Sequence, residues 1–210
     1  IQSNNFEWYK FTGDVNTTAL SSFTMSKTFG LLARLNYSYL GKYLLSASVR
    51  RDGSSVLYIK NQWDNFPAAS AGWIISDEGF MANTKSWLDY LKFRVGWGIT
   101  GTAKIDPYSS VSIVENGNMS LGGVAQSIFR NSRFITNPNL GWEKSNNTNI
   151  GMEATLLKKR VDLTLEYYTT KTDGVIWTVS SPVIYGTYTP GSQYQTYLNI
   201  CKTLNKGVEL

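Results

Sequence analysis

The sequence predicts an all-β fold in which antiparallel strands run up and down as part of a transmembrane β-barrel. Three observations lead to this prediction. Apolar and polar residues alternate over long stretches, the connections between the stretches are short and long in turn, and most charged residues keep to one side of the alternation. About seven strands are expected in the 210 residues.

The clearest alternation lies in segment 43–76. One parity of its first strand is apolar: Tyr43, Leu45, Ala47 and Val49. The other parity is mostly polar, and the same pattern returns after Pro67. Two strands that each show one apolar and one polar face predict a half-exposed antiparallel pair.

Seven strands are predicted from this pattern, at 28–39, 43–51, 67–76, 91–100, 145–157, 161–172 and 194–200. Residues 1–27 are expected to be loop with at most a frayed strand, and 205–210 to form a turn that opens another strand. Connections 40–42, 77–90 and 158–160 are compact, with a short helical turn expected after Asp77. Connections 52–66, 101–142 and 173–193 are long, and the second is expected to hold its own hairpin. All long loops then lie at one end, as in outer-membrane barrels.

Charge placement supports a membrane barrel. The charged residues on the polar-parity face are Arg34, Arg50, Lys92, Arg94, Glu153, Asp162 and Glu166, whereas Arg51 and Lys171 break the rule near the strand ends. A cation on the lipid face costs about 2–4 kcal/mol at mid-membrane and little at the interface. We therefore expect these residues to line the lumen or the rim: Arg34, Arg50, Arg51, Asp52, Arg94, Glu153, Asp162 and Glu166.

Composition excludes several kinds of chemistry. The chain has no histidine and one cysteine, Cys201, which leaves no imidazole base and no cysteine metal site. The acid pairs Glu143/Glu153 and Asp162/Glu166 are the arrangement closest to a glycosidase, but alternation makes them ordinary charges of a polar strand face. No catalytic residue, metal or cofactor is expected. The net charge of +5 is scattered, which argues against nucleic-acid binding.

Periodicity alone is also satisfied by a soluble antiparallel sandwich, in which one face of each sheet is apolar too. Tyrosine and tryptophan near the strand ends favour the membrane barrel, because they match an interfacial aromatic girdle. A soluble carbohydrate-binding β-sandwich and a passive porin remain the alternatives.

Five blocks of sequence carry a family resemblance. They are Arg50 to Ser55 (RRDGSS), Trp63 to Ser76 (WDNFPAASAGWIIS), Leu91 to Arg94 with Gly98 to Gly101, Asn137 to Lys144 (NPNLGWEK), and Asn205 to Glu209 (NKGVE). In this order they resemble the SusC/RagA-type TonB-dependent transporters of the bacterial outer membrane. The stretch after Ser55 departs from the family, since Val56 to Ile59 is more apolar than usual.

The resemblance implies an internal piece of a barrel of about 22 strands. Residues 1–210 would belong to one barrel domain, with the plug domain and the barrel ends outside this chain. The implied function is TonB-dependent import of a glycan, oligosaccharide or peptide, without enzymatic activity. The implied partners are a SusD/RagB-type surface lipoprotein, TonB, the substrate and outer-membrane lipid.

One segment is a candidate for substrate contact. Trp63, Asp64, Asn65 and Phe66 combine aromatic rings with amide and carboxylate groups, which suits stacking on a sugar and hydrogen bonding to it. The same residues would also suit a loop that folds back on the rim through its own aromatic side chains. Arg50 to Gly53 are expected to form a rim ion pair and a turn.

Overall fold

The computed structural model describes residues 23–111, 113–189 and 191–210, so the prediction for 1–22 lies outside the described residues. The strands are β1 (Thr28–Tyr39), β2 (Tyr43–Ser54), β3 (Trp63–Ile74), β4 (Leu88–Thr102), β5 (Val114–Leu121), β6 (Val124–Asn131), β7 (Glu143–Leu156), β8 (Val161–Ser180), β9 (Thr187–Thr189), β10 (Ser192–Gln193) and β11 (Gln195–Glu209). Short 3-10 helices lie at Ile59–Asn61, Ile75–Asp77, Gly79–Thr84 and Val183–Tyr185. None of the described helices is long or apolar enough to cross a membrane.

Seven strands form one antiparallel sheet in the order β1-β2-β3-β4-β7-β8-β11. This confirms the predicted up-and-down fold and its number of strands. The expected hairpin inside 101–142 is β5 with β6, whose turn is Gly122-Gly123 with φ of 61° and 83°. A smaller pair, β9 with β10, lies in the loop between β8 and β11.

Several predicted boundaries are wrong. β3 begins at Trp63 rather than at Pro67, and β8 continues to Ser180 rather than ending at 172. The expected turn at 205–210 is instead the end of β11, which pairs with β8 as far as Glu209.

The strands are staggered in register. The row of partners that starts at Tyr39 runs through Tyr43, Trp73, Phe93 and Met152 to Leu165. Tyr39 ends β1, whereas Leu165 lies four residues after the start of β8. A shift of about four residues over five strand pairs corresponds to a tilt of roughly 30° at about 3.4 Å per residue and about 4.8 Å between strands, close to the tilt of closed barrels.

The sheet has little core of its own. Leu31, Leu35 and Leu45 on its apolar face are 64%, 70% and 52% exposed, and no second sheet covers this face within the described residues. A soluble sandwich would bury such a face between two sheets. The structure therefore disfavours the sandwich alternative.

A cluster of buried residues lies instead where the long loops meet. Val56, Leu57 and Leu140 form a core there, at 6%, 1% and 1% exposure, against which Trp142 and Tyr197 pack. The long loops are thus held together by a small hydrophobic core of their own.

Candidate functional site

Arg94 is the centre of a charge network on the polar face. Its Nε lies 3.0 Å from Glu153 Oε1, its Nη1 donates to Asn149 Oδ1 at 3.2 Å, and its Nη2 pairs with Glu166 Oε1. Asn149 Nδ2 donates to Glu166 Oε2 at 3.0 Å, and Lys92 Nζ lies 3.7 Å from Glu153 Oε2. The network joins side chains of β4, β7 and β8.

Register explains how Arg94 reaches across a whole strand. Gly151 of β7 lies opposite both Arg94 of β4 and Glu166 of β8. A Cβ on Gly151 would lie 2.8 Å from Arg94 Nε and 3.1 Å from its Cζ. The guanidinium therefore crosses β7 over the one residue type that leaves it room.

This network is electrically balanced and does not resemble a catalytic pair. Lys92 and Arg94 offset Glu153 and Glu166, so each carboxylate already has a cationic partner. The other two acids considered from the sequence are also engaged: Glu143 Oε1 accepts from the Ile176 N–H at 2.7 Å, and Asp162 Oδ1 accepts from Thr155 Oγ1 at 2.7 Å. Within the described residues, no group of three or more His, Cys, Asp or Glu side chains could hold a metal ion.

The remaining predicted charges fall on both faces. Arg50 Nε lies 2.6 Å from Asp52 Oδ1, as expected for a rim ion pair. Arg34 lies opposite Ser48 on the polar face, beside a shallow recess lined by Trp97 and by serine, alanine and glycine residues. Arg51 has the opposite parity, and its guanidinium carbon lies 5.7 Å from the centre of the Trp63 ring, within the range of a cation–π contact. That these charges line a lumen stays a prediction.

On the apolar face of β2, β8 and β11, basic residues follow the apolar stretch of the strand. On β2, Tyr43 to Val49 is followed by Arg51, and on β8, Val161 to Tyr167 is followed by Lys171. On β11, Lys206 and Lys202 lie beyond Val208. Aromatic residues mark the opposite border, where the rings of Tyr43 and Trp73 are stacked with an interplanar angle of 11°.

A sequence profile described as TonB dependent receptor-like, beta-barrel matches residues 2–210. The chain belongs to this family of TonB-dependent receptor β-barrels. It is 37% identical to TonB-dependent receptor P26 of Formosa agariphila over 206 residues, which cover 98% of this chain and 20% of the relative. It is 34% identical to TonB-dependent receptor SusC of Bacteroides thetaiotaomicron over 193 residues, 86% of this chain and 19% of SusC.

Solved structures show the same fold. The RagAB peptide transporter superposes with a TM-score of 0.75 at 24% identity, covering 87% of this chain and 19% of that one. The siderophore receptor PirA of Pseudomonas aeruginosa superposes with a TM-score of 0.57 at 15% identity, over 87% of this chain and 30% of that one. The chain spans about a fifth of the length of the curated relatives it matches.

In a TonB-dependent receptor barrel the polar face lines the lumen and the apolar face meets lipid. The four candidate substrate residues are divided between these two faces. Asp64 lies opposite Asp52, and Phe66 lies opposite Arg50, whereas Trp63 and Asn65 have the other parity. The four residues open β3 and are not part of a loop.

Contacts within the chain already occupy most of these side chains. Trp63 lies over Gly53, where a Cβ would be 2.9 Å from its ring, and packs edge-on against Phe29. Phe66 is 5% exposed and packs against Trp142 with ring centres 5.4 Å apart. Asp64 Oδ2 pairs with Lys144 Nζ at 2.7 Å. Substrate contact by these residues stays a prediction, and Asp64 is the most open of those on the lumenal parity.

Residues Asn137 to Glu143 (NPNLGWE) hold the long loops of the receptor together. The Asn137 side chain donates to Tyr197 O at 2.8 Å, and Leu140 fills the loop core. Asn199 of β11 accepts from the Gly141 N–H at 2.8 Å and donates to Gly174 O at 2.8 Å. The sequence carried no signal for Asn199, because its partners lie 25 and 58 residues away.

Glu78 links neighbouring strands at the end of the sheet opposite the long loops. It accepts from Tyr43 Oη at 2.7 Å and Trp73 Nε1 at 3.1 Å, and pairs with Lys42 Nζ at 3.3 Å. These contacts, with the Tyr43 hydrogen bond the largest, lower the pKa of the Glu78 carboxyl from its usual value of 4.5. The sequence placed Glu78 at a helix start, but its partners are Tyr43 and Trp73 on two neighbouring strands and Lys42 in the turn before β2.

Proposed function

We propose that this chain is a wall segment of an outer-membrane receptor that imports a nutrient by TonB-dependent transport. The observation that carries the proposal is one staggered sheet whose apolar face is bounded by aromatic and basic residues and whose polar face holds a balanced charge network. The segment contributes barrel wall, lumen lining and external loops, and it belongs to a single barrel domain whose plug and remaining strands lie outside residues 1–210.

The proposed substrate is a glycan, an oligosaccharide or a peptide. Similarity to SusC and to the RagAB peptide transporter supports this range without choosing within it. The proposed partners are TonB and a SusD/RagB-type surface lipoprotein. No bond is broken in the proposed activity, which is passage across the outer membrane.

Deletion of the full-length gene tests this function. The deletion strain is expected to lose uptake of one class of oligosaccharide or peptide, and the complemented strain is expected to lose it again when a protonophore collapses the energy supply to TonB. Uptake that survives the protonophore would favour a passive porin. Recovery of the receptor in the soluble fraction would contradict the membrane barrel itself.

Neighbouring residues of β3 provide a sharper test within the chain. In the full-length receptor, Asp64→Asn is expected to raise the apparent KM for uptake about tenfold, because Asp64 has the lumenal parity next to Asp52. Asn65→Ala is the matched control, since its parity directs it away from the lumen. Equal uptake by both variants would remove Asp64 from the substrate path.

A further inference from the structure

Three lysines gather on the outward face where β8 and β11 leave the apolar band. Lys171 lies opposite Leu204, Lys202 opposite Asp173, and Lys206 opposite Thr169. All three share the parity of Leu163, Leu165 and Tyr167, which are part of the apolar surface. They therefore point sideways from the barrel and not into its lumen.

Asp173 pairs with two of the lysines but does not neutralise the positive charge of the group. Lys171 Nζ lies 3.4 Å from Asp173 Oδ2, and Lys202 Nζ lies 3.4 Å from Asp173 Oδ1. Lys206 lies on the diagonal from Lys171, roughly 7–8 Å away in an antiparallel pair. Three ammonium groups and one carboxylate leave a net charge of +2.

The group is open to an anion from outside the chain. The side chains of Lys171, Lys202 and Asp173 are 56%, 73% and 42% exposed. A lysine ammonium carries three donors, and one carboxylate cannot use all the donors of two lysines. Several ammonium donors therefore remain for a ligand.

Height along the strands restricts what this ligand can be. Lys206 lies two residues beyond Val208, Lys171 four beyond Tyr167 and Lys202 six beyond Val208, and Leu204 is the apolar side chain between the two lysines of β11. At about 3.4 Å per residue the lysines lie roughly 7 to 20 Å along the strands from Tyr167 and Val208. Because Leu204 extends the apolar surface to the same height, the group lies at the border between hydrocarbon and lipid headgroups. Basic side chains at that level attract anionic headgroups.

We propose that Lys171, Lys202 and Lys206 bind phosphate groups of lipid A in the outer leaflet, with Asp173 spacing the ammonium groups. This site rests on the proposed outer-membrane placement, but it is separate from import, since it faces away from the lumen. It fixes the height and rotation of this part of the barrel in the membrane.

The test uses the full-length receptor in detergent, titrated with lipid A and observed by native mass spectrometry. The triple variant Lys171→Gln, Lys202→Gln, Lys206→Gln is expected to bind lipid A at least tenfold more weakly. The matched control is Lys158→Gln, Lys159→Gln, Arg160→Gln, which removes three cations from the turn at the opposite end of β8 and is expected to leave binding unchanged. Lipid A stripped of its phosphates is expected to bind wild type as weakly as the triple variant binds intact lipid A.

A variant that is expected to strengthen lipid A binding keeps the proposal testable if the triple variant does not fold. Asp173→Asn removes the competing carboxylate and is expected to tighten lipid A binding two- to fivefold, while heat-modifiable migration on gels reports folding. Equal binding by the triple variant and the turn control, or equal binding of intact and dephosphorylated lipid A, would overturn the site. Loss of uptake is not a readout here, so failure of this site and failure of the import function are distinguishable.

Discussion

At the scale of single residues, Gly151 leaves room for the charge network on the polar face. Gly151→Ala in the full-length receptor places a Cβ 2.8 Å from Arg94 Nε, which forces Arg94 away from Glu166. We expect destabilisation of about 1–3 kcal/mol, measured as a lower midpoint of urea unfolding from lipid vesicles. Gly79→Ala is the control, because no atom lies within 4 Å of the added methyl; an equal loss in both variants would show that Arg94 is not the cause.

Glu78 gives the receptor a defined dependence on pH. Its pKa is lowered in the fold, so its contribution is complete above the ordinary carboxyl pKa and is lost as pH falls through the lowered value. The melting temperature of wild type is expected to exceed that of Glu78→Gln at pH 7, with the difference shrinking below about pH 4. Melting curves of both proteins from pH 3 to 7 check this, and a difference that grows on acidification would contradict it.

At the scale of elements, the loop that contains Leu140 is expected to open as a unit. Leu140→Ala removes a side chain that is 1% exposed and packed in a core of three residues, at a cost of about 2–5 kcal/mol. Hydrogen exchange in 132–142 is expected to accelerate while the strands stay protected. Ile184→Ala, at a position 87% exposed, serves as the control, and unchanged exchange in the Leu140 variant would refute the fastening role.

Alternation predicted the strands well, but it misplaced strand ends at proline and glycine, because these residues occur both in turns and inside strands. Pro67 suggested a strand start, yet β3 begins earlier and passes through it. The pairing of β3 with β4 starts at Ala68 with Gly98, so Pro67 has no partner on β4. Its missing N–H is therefore tolerated. Residues from 173 onward were predicted as loop, but β8 continues to Ser180 and passes through Gly174, which has φ 69° at an irregularity of the β8 and β11 register. A glycine in a strand and a glycine in a turn look alike without the partner strand.

The sequence predicted which face of the sheet carries the candidate site, but not which of its side chains pair. Parity placed Arg94, Glu153 and Glu166 together on the polar side, but their pairing depends on register, which joins residues as far apart as 72 positions. Lys144 shows the limit, because its alternation points away from Asp64 and yet its ammonium reaches it at 2.7 Å. Long side chains at strand ends do not obey a rule that holds for Cβ atoms.

At the scale of the whole molecule, the two faces should differ in their access to water. Single cysteines at Ser46 and Leu45, each in a Cys201→Ser background, differ by one position in β2 but face opposite directions. A water-soluble maleimide is expected to label the Ser46→Cys receptor and to spare the Leu45→Cys receptor in intact outer membranes. Labelling of both would mean that the apolar face is not covered by lipid.

The order of the strands has a consequence for how the barrel assembles. β7 and β8 are joined by a turn of four residues, whereas their neighbour β4 is separated from β7 by residues 103–142. Closing a loop about ten times longer costs roughly 2 kcal/mol more in chain entropy. We therefore expect the pairing of β4 with β7 to be the slowest strand pairing of this segment. The hairpin β5–β6 folds within the long loop, and we expect it to bring the ends of that loop closer before β4 and β7 pair.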